Sequence, residues 1–217
     1  MSILATFESH LSPDLLAIFH SLDTPFRIQQ YLDSLSYQAV ERDRSPLNVM
    51  RDRQSHCLDG GLLAALALWR IGFPPLLLDI RPDPGVDDDH VLALYQLEGR
   101  WGALAKSNYV NLGFREAVHK NLRELVMTYF EHYCSVNHTK TLRGYTRPFD
   151  VSKFHPADWA WNEDSTVKLY QRFYSRKVIP LISPQMAALL NPITERMYSA
   201  ETLHTDLSWS FGIREGH

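Results

Sequence analysis

The chain has 217 residues, of which 45% are hydrophobic and 22% charged. That suits one domain burying roughly 70% of its unfolded surface, and it excludes disordered and fibrous classes. The net charge of -3 argues against a nucleic-acid binder and a polybasic membrane contact.

The opening residues lack a basic start, and Glu8 interrupts their apolar run. They do not read as a secretory signal, so a cytoplasmic location is expected. Apolar runs reach only about ten residues, too short to span a bilayer. Residues 12–22 read as a short helix, with Ser12 as N-cap and Pro13 at the first helical position. A second helix follows Thr24-Pro25, its stripe formed by Phe26, Ile28, Tyr31, Leu32 and Leu35. Residues 39–46 are loop-like, and residues 46–51 suggest one helical turn. Residues 57–71, CLDGGLLAALALWRI, are apolar nearly all round and predict a buried helix, with Gly72 as its C-terminal stop. Gly60 and Gly61 each cost this helix about 1 kcal/mol against Ala, which implies close approach of another element. Strands follow at 76–81, 90–97 and 101–106, separated by the acidic loop 82–89 and the Glu98-Gly99-Arg100 turn. Residues 115–135 predict a helix with Val118, Leu122, Leu125, Val126, Tyr129 and Tyr133 on one face. Residues 164–181 predict another helix, residues 184–207 one or two short ones, and the last ten residues partial disorder. The order is an α+β pattern within one domain over 1–217.

Two cysteines make no disulfide framework, so each is judged by its setting. Cys57 opens the buried helix, where free N–H groups and the helix dipole favour a thiolate. Cys134 has no such setting, and His132 two residues before it projects from a different helix face. His90 starts the strand after the acidic loop and can reach a thiol as general base. Asp87, Asp88, Asp89 and His90 also suit a divalent ion, although no second ligand motif accompanies them. Arg115 to Arg123 with Arg143 and Arg147 form a mild basic accumulation suited to an anionic substrate group. The aromatics Trp159, Trp161, Tyr170, Phe173 and Tyr174 suit core packing. No phosphate-binding or dinucleotide-binding glycine loop is present in the sequence.

The run SHCLDGGLLAALALWRIGFPPLLLDIR, followed by DDDHVLALY and GRWGALAKSN, resembles the transglutaminase-like superfamily in its bacterial-type form. The resemblance covers residues 25–110. It implies a papain-like core: a buried Cys-bearing helix packed on a small antiparallel sheet, here followed by a mainly helical extension over 111–217. It implies Cys57 as nucleophile and His90 as general base. The family's third member, an Asp four residues after the turn Trp, falls on Ala105, a departure from the pattern. Asn108 or Ser107 can stand in, as can Asp87, Asp88 or Asp89, and a dyad alone is the remaining option. Gln54 or His56 could complete an oxyanion hole with the Cys57 N–H. The expected activity is Cys-His acyl transfer, forming or hydrolysing an amide or ester on a small-molecule or peptide substrate. No cofactor, bound metal, nucleic acid or membrane is expected. The alternatives are a catalytically silent scaffold of the same fold and a metal-dependent hydrolase built on residues 87–90.

Overall fold

In the computed structural model, which describes residues 2–39 and 42–213, the chain begins with short helices started by hydroxyl side chains. Helix α1 (Ile3–Ser9) is capped by Ser2, α2 (Pro13–Ser21) by Ser12 and α3 (Pro25–Asp33) by Thr24, each accepting a backbone N–H. Strand β1 (Ser36–Tyr37), helix α4 (Pro46–Asp52) and strand β2 (Gln54–Ser55) lead to helix α5 (Cys57–Arg70). The expected loop over 39–46 lies partly outside the described residues.

The C-terminus of α5 forms a Schellman motif. Gly72 N–H donates to Trp69 O at 3.1 Å and Phe73 N–H to Leu68 O at 3.0 Å. This geometry places Gly72 at φ +96°, which only glycine adopts cheaply. Strands β3 (Leu76–Pro82), β4 (His90–Leu97) and β5 (Arg100–Leu104) follow as an antiparallel meander. Glu98 and Gly99 both have positive φ, as a two-residue hairpin turn requires.

Beyond β5 the structure departs from the helical expectation. Residues 115–135 contain strand β6 (Arg115–His119) and only a short helix α6 (Leu122–Met127). β6 pairs with β5, so strand pairing outweighs local helix preference, and Val118 is left 64% exposed. Asn121, which accepts the Glu124 N–H at 2.9 Å, restarts the helix. Strands β7 (Leu142–Thr146) and β8 (Phe149–Asp150) come next, then α7 (Glu163–Tyr174). The helix expected over 164–181 ends at Tyr174, and Val178–Pro180 form strand β9 against β7. Helices α8 (Pro184–Ala187) and α9 (Glu195–Glu201) complete the expected short pair. The extension over 111–217 thus combines helices with strands. It supplies four strands of a seven-stranded sheet of order β6-β5-β4-β3-β7-β9, with β8 beside β3. The result is an α+β architecture. Among the described residues no helix is long and apolar enough to cross a membrane.

The sheet is covered on both faces. Val91, Ala93 and Tyr95 of β4 join the cluster around α5, while Leu92 and Leu94 join one with Leu125, Val126, Tyr129 and Tyr133. This explains the continuous apolar run of β4. The glycine pair brings α5 close to the sheet. A Cβ on Gly60 would lie 2.5 Å from Lys106 Cβ, and one on Gly61 would lie 2.9 Å from Val91 Cγ1. Gly60→Ala is expected to lower unfolding free energy by about 1–3 kcal/mol, despite its better helix propensity. Urea unfolding checks this, and an unchanged or raised midpoint would count against the close approach.

Candidate active site

The N-terminus of α5 points at the loop that feeds β4. His56 caps the helix, its Nδ1 accepting the Leu58 N–H at 3.3 Å, and Cys57 is the first helical residue. The thiol of Cys57 donates to the Asp89 carbonyl, with Sγ 3.7 Å away. One residue on, His90 begins β4 and is buried. Its Nε2 lies 2.8 Å from the Leu112 carbonyl oxygen. A carbonyl only accepts, so Nε2 carries the ring proton and Nδ1 holds a lone pair.

Cys57 and His90 line one cavity of ≈ 40 Å³, together with Tyr109, Leu112 and Tyr133. That is room for about three waters and too little for a peptide. Trp209, Ser210 and Phe211 form another part of its wall.

The surroundings of both side chains favour their neutral forms. Burial pushes the Cys57 thiol well above its usual range, and the carboxylates of Asp89 and Asp88 push the same way. The expectation of a helix-lowered thiol is thus overturned: desolvation and acidic neighbours outweigh the dipole. Burial also pulls His90 down to about 4, with the Arg115 charge adding to the effect. Asp87 is raised to about 6 by burial, its carboxylate accepting from the Thr141 hydroxyl and the Asp88 N–H. Asp79, in the middle of β3, shares a buried site with Asp89. Burial and their mutual repulsion raise Asp79, and Arg81 opposes the shift from its place on the Asp79 carboxylate.

The other site residues inferred from sequence divide into two groups. Ser107 and Asn108 reach the cavity wall. Neither bonds the His90 ring. Ser107 Oγ accepts the Tyr109 N–H at 2.9 Å, and Asn108 Nδ2 donates to the Asp206 carbonyl at 2.9 Å. The ring is held by the Leu112 backbone instead, an acceptor that no side-chain pattern reveals. Ala105, at the position of the family's Asp, is buried in the apolar cluster, and its backbone N–H and C=O both bond to Gln29. Gln54 and His56 lie outside the cavity lining. Gln54 Oε1 accepts from Arg44, and His56 Nε2 faces Asp59 at 3.3 Å. Asp79 was also missed, although one acid inside the apolar run LLLDIR is a readable signal. Cys134, set aside from its sequence setting, shares the cavity wall, and burial raises its thiol to about 12.

The Asp87–His90 side chains do not converge on an ion position. Among the described residues the group able to do so is Asp43, His56 and Asp59. Hydrogen bonding accounts for that cluster. Nδ1 of His56 accepts from Leu58, so the proton sits on Nε2 and faces the carboxylates. An ion there would need the lone pair that this proton occupies. The anticipated basic accumulation is dispersed as well. Arg115 lies over the Tyr129 ring, Arg123 bonds Leu181 O and Arg143 pairs with Asp83.

No known family profile matches the chain, and no curated protein matches it. Among solved structures it is similar to Legionella pneumophila LapG, at 14% identity and a TM-score of 0.37, over 49% of this chain and 73% of that one. A second match, Legionella pneumophila LapG treated with EGTA, has 13% identity and a TM-score of 0.38, over 54% and 75%.

The His90 shift carries a stability consequence. Its pKa falls from 6.5 to about 4 on folding, so the unfolded chain binds more protons between those values. The stabilisation is fully present above pH 6.5 and is lost as pH falls through about 4. The stability advantage of wild type over His90→Gln is expected to shrink by about 3 kcal/mol as pH falls across that window. Urea unfolding at stepped pH measures it, and a flat difference would show that His90 is not held neutral.

Proposed function

We propose that the chain is a cysteine-dependent acyl-transfer enzyme with a papain-like or transglutaminase-like core, acting on an amide or ester of a small molecule or peptide. The observation that carries this reading is the meeting of Cys57 and His90 in one cavity, with the lone pair of the His90 ring on Nδ1. In this reading His90 Nδ1 takes the thiol proton as Cys57 Sγ attacks the carbonyl carbon. The new C–S bond and the alkoxide form together. The Cys57 N–H, at the helix start and without an intrahelical acceptor, donates to that oxygen. Collapse expels the amine or alcohol, protonated by His90, and leaves a thioester. Water or an amine then attacks with His90 as base, and Cys57 is released.

A proton transfer concerted with attack suits a pair that starts neutral. The Leu112 carbonyl fixes the tautomer, the role a carboxylate or amide fills in other triads. Asn108 and Ser107 remain wall residues in this scheme, available to contact substrate.

The small cavity and raised thiol favour one competing reading, a silent binding protein of the same fold. Incubation with a panel of activated esters and peptide amides, followed by mass mapping, separates the two. The enzyme reading expects an acyl adduct on Cys57, loss of turnover in Cys57→Ala, and a fall of about 10²–10⁴-fold in His90→Ala. Absence of adduct and turnover across the panel, or turnover that survives Cys57→Ala, would overturn it.

A further inference from the structure

We propose that residues 205–211 occupy the substrate cleft of the Cys57–His90 site, and that the cleft's external ligand is a polypeptide segment carrying aromatic side chains. The proposal rests on the reading of that site as an acyl-transfer centre and names its substrate class.

The C-terminal segment is held at both ends. Upstream, Glu201 of α9 is fully buried, and its Oε1 accepts from Asn111 Nδ2 at 2.9 Å and lies 2.6 Å from His132 Nδ1. Asn111 adjoins Leu112, whose carbonyl holds the His90 ring. Downstream, the segment is bonded to the residues that follow β5. Asn108 Nδ2 donates to the Asp206 carbonyl at 2.9 Å, the Thr205 hydroxyl donates to the Asn108 carbonyl at 2.7 Å, and the Tyr109 hydroxyl meets Ser210 Oγ at 3.1 Å. Ser210 is buried, and Trp209, Ser210 and Phe211 line the cavity that holds Cys57 and His90.

These contacts have the character of peptide recognition. One side-chain amide reads a main-chain carbonyl, which any residue supplies. One main-chain carbonyl of the cleft accepts from the bound segment. Two aromatic side chains line the cavity that holds the thiol. The loop also arranges itself: Asp206 Oδ1 accepts the Ser208 N–H and hydroxyl, closing the turn at Leu207–Trp209. Trp209 and Phe211 stay partly exposed, so the segment is docked on the site and can leave it without opening the core. A tethered segment acts at an effective concentration of about millimolar, so a free peptide of ordinary affinity competes poorly until the tether is loosened.

The test uses the full chain and iodoacetamide, with mass mapping that follows Cys57 and Cys134 separately. Alkylation reads access to the thiol and requires no turnover, so it stands or falls apart from the acyl-transfer reading. Two variants loosen the segment: Trp209→Ala with Phe211→Ala, and Asn108→Ala alone. Both are expected to alkylate at Cys57 faster than wild type, the double variant by about ten-fold. A capped peptide with the sequence of residues 205–211, added at millimolar concentration, is expected to slow the double variant again. The same peptide with both aromatics replaced by Ser is expected not to. Circular dichroism confirms folding, and if the double variant fails to fold, Asn108→Ala carries the test with the same two peptides. Unchanged alkylation in the folded variants would show that the segment does not cover Cys57. Faster alkylation without protection by the aromatic peptide would show that the cleft does not bind such a segment. Either outcome overturns the proposal.

Discussion

The site depends on how closely the first turn of α5 packs against the sheet. Gly60 and Gly61 leave no room for a methyl group between the helix and Lys106 on one side or Val91 on the other. A wider separation would carry Cys57 away from Asp89, whose carbonyl it touches, and from the strand that His90 begins. Two glycines near a helix start cost about 1 kcal/mol each in propensity. Burial offsets that cost: Leu62, Leu63 and Leu66 are fully enclosed, and each such side chain is worth about 1.5–3 kcal/mol. The same packing that stabilises the domain therefore positions the thiol.

Packing also sets the protonation state. A helix N-terminus favours a thiolate by about 0.3–1 kcal/mol, whereas loss of hydration disfavours it, even at a residue that keeps some exposure, as Cys57 does. At Cys57 the second effect wins, and the nearby carboxylates of Asp88 and Asp89 reinforce it. At His90 burial removes the charge that would have stabilised the thiolate. The acidic loop that looked like a metal site in the sequence thus has an electrostatic role. It adds to burial in disfavouring the thiolate, beside a cavity that Trp209 and Phe211 help to line.

Local signals in the sequence located the first half of the fold well. Ser12 and Thr24 cap helices because their hydroxyls accept backbone N–H groups at short range. The α5 stop at Gly72 and the Glu98-Gly99 hairpin are equally local. Cys57 and His90 were legible for the same reason, since each begins an element. What escaped detection depends on distant partners. Residues 115–119 become a strand because β5 has an open edge, and Val178–Pro180 because β7 has one. The hydrogen-bond partner of the His90 ring is a main-chain oxygen, which carries no residue signature. Asn108 was a reasonable candidate for it, but its amide is committed to Asp206, 98 residues away.

The claim on which the account turns is that Cys57 and His90 rest as a neutral thiol and imidazole. The difference in ultraviolet thiolate absorbance between wild type and Cys57→Ser, followed as pH is raised, tests it directly. The account predicts no thiolate signal from Cys57 at neutral pH, and a rise only above the ordinary thiol value of 9.0. A thiolate signal already present at neutral pH, titrating away in acid, would contradict it and point to a preformed thiolate–imidazolium pair.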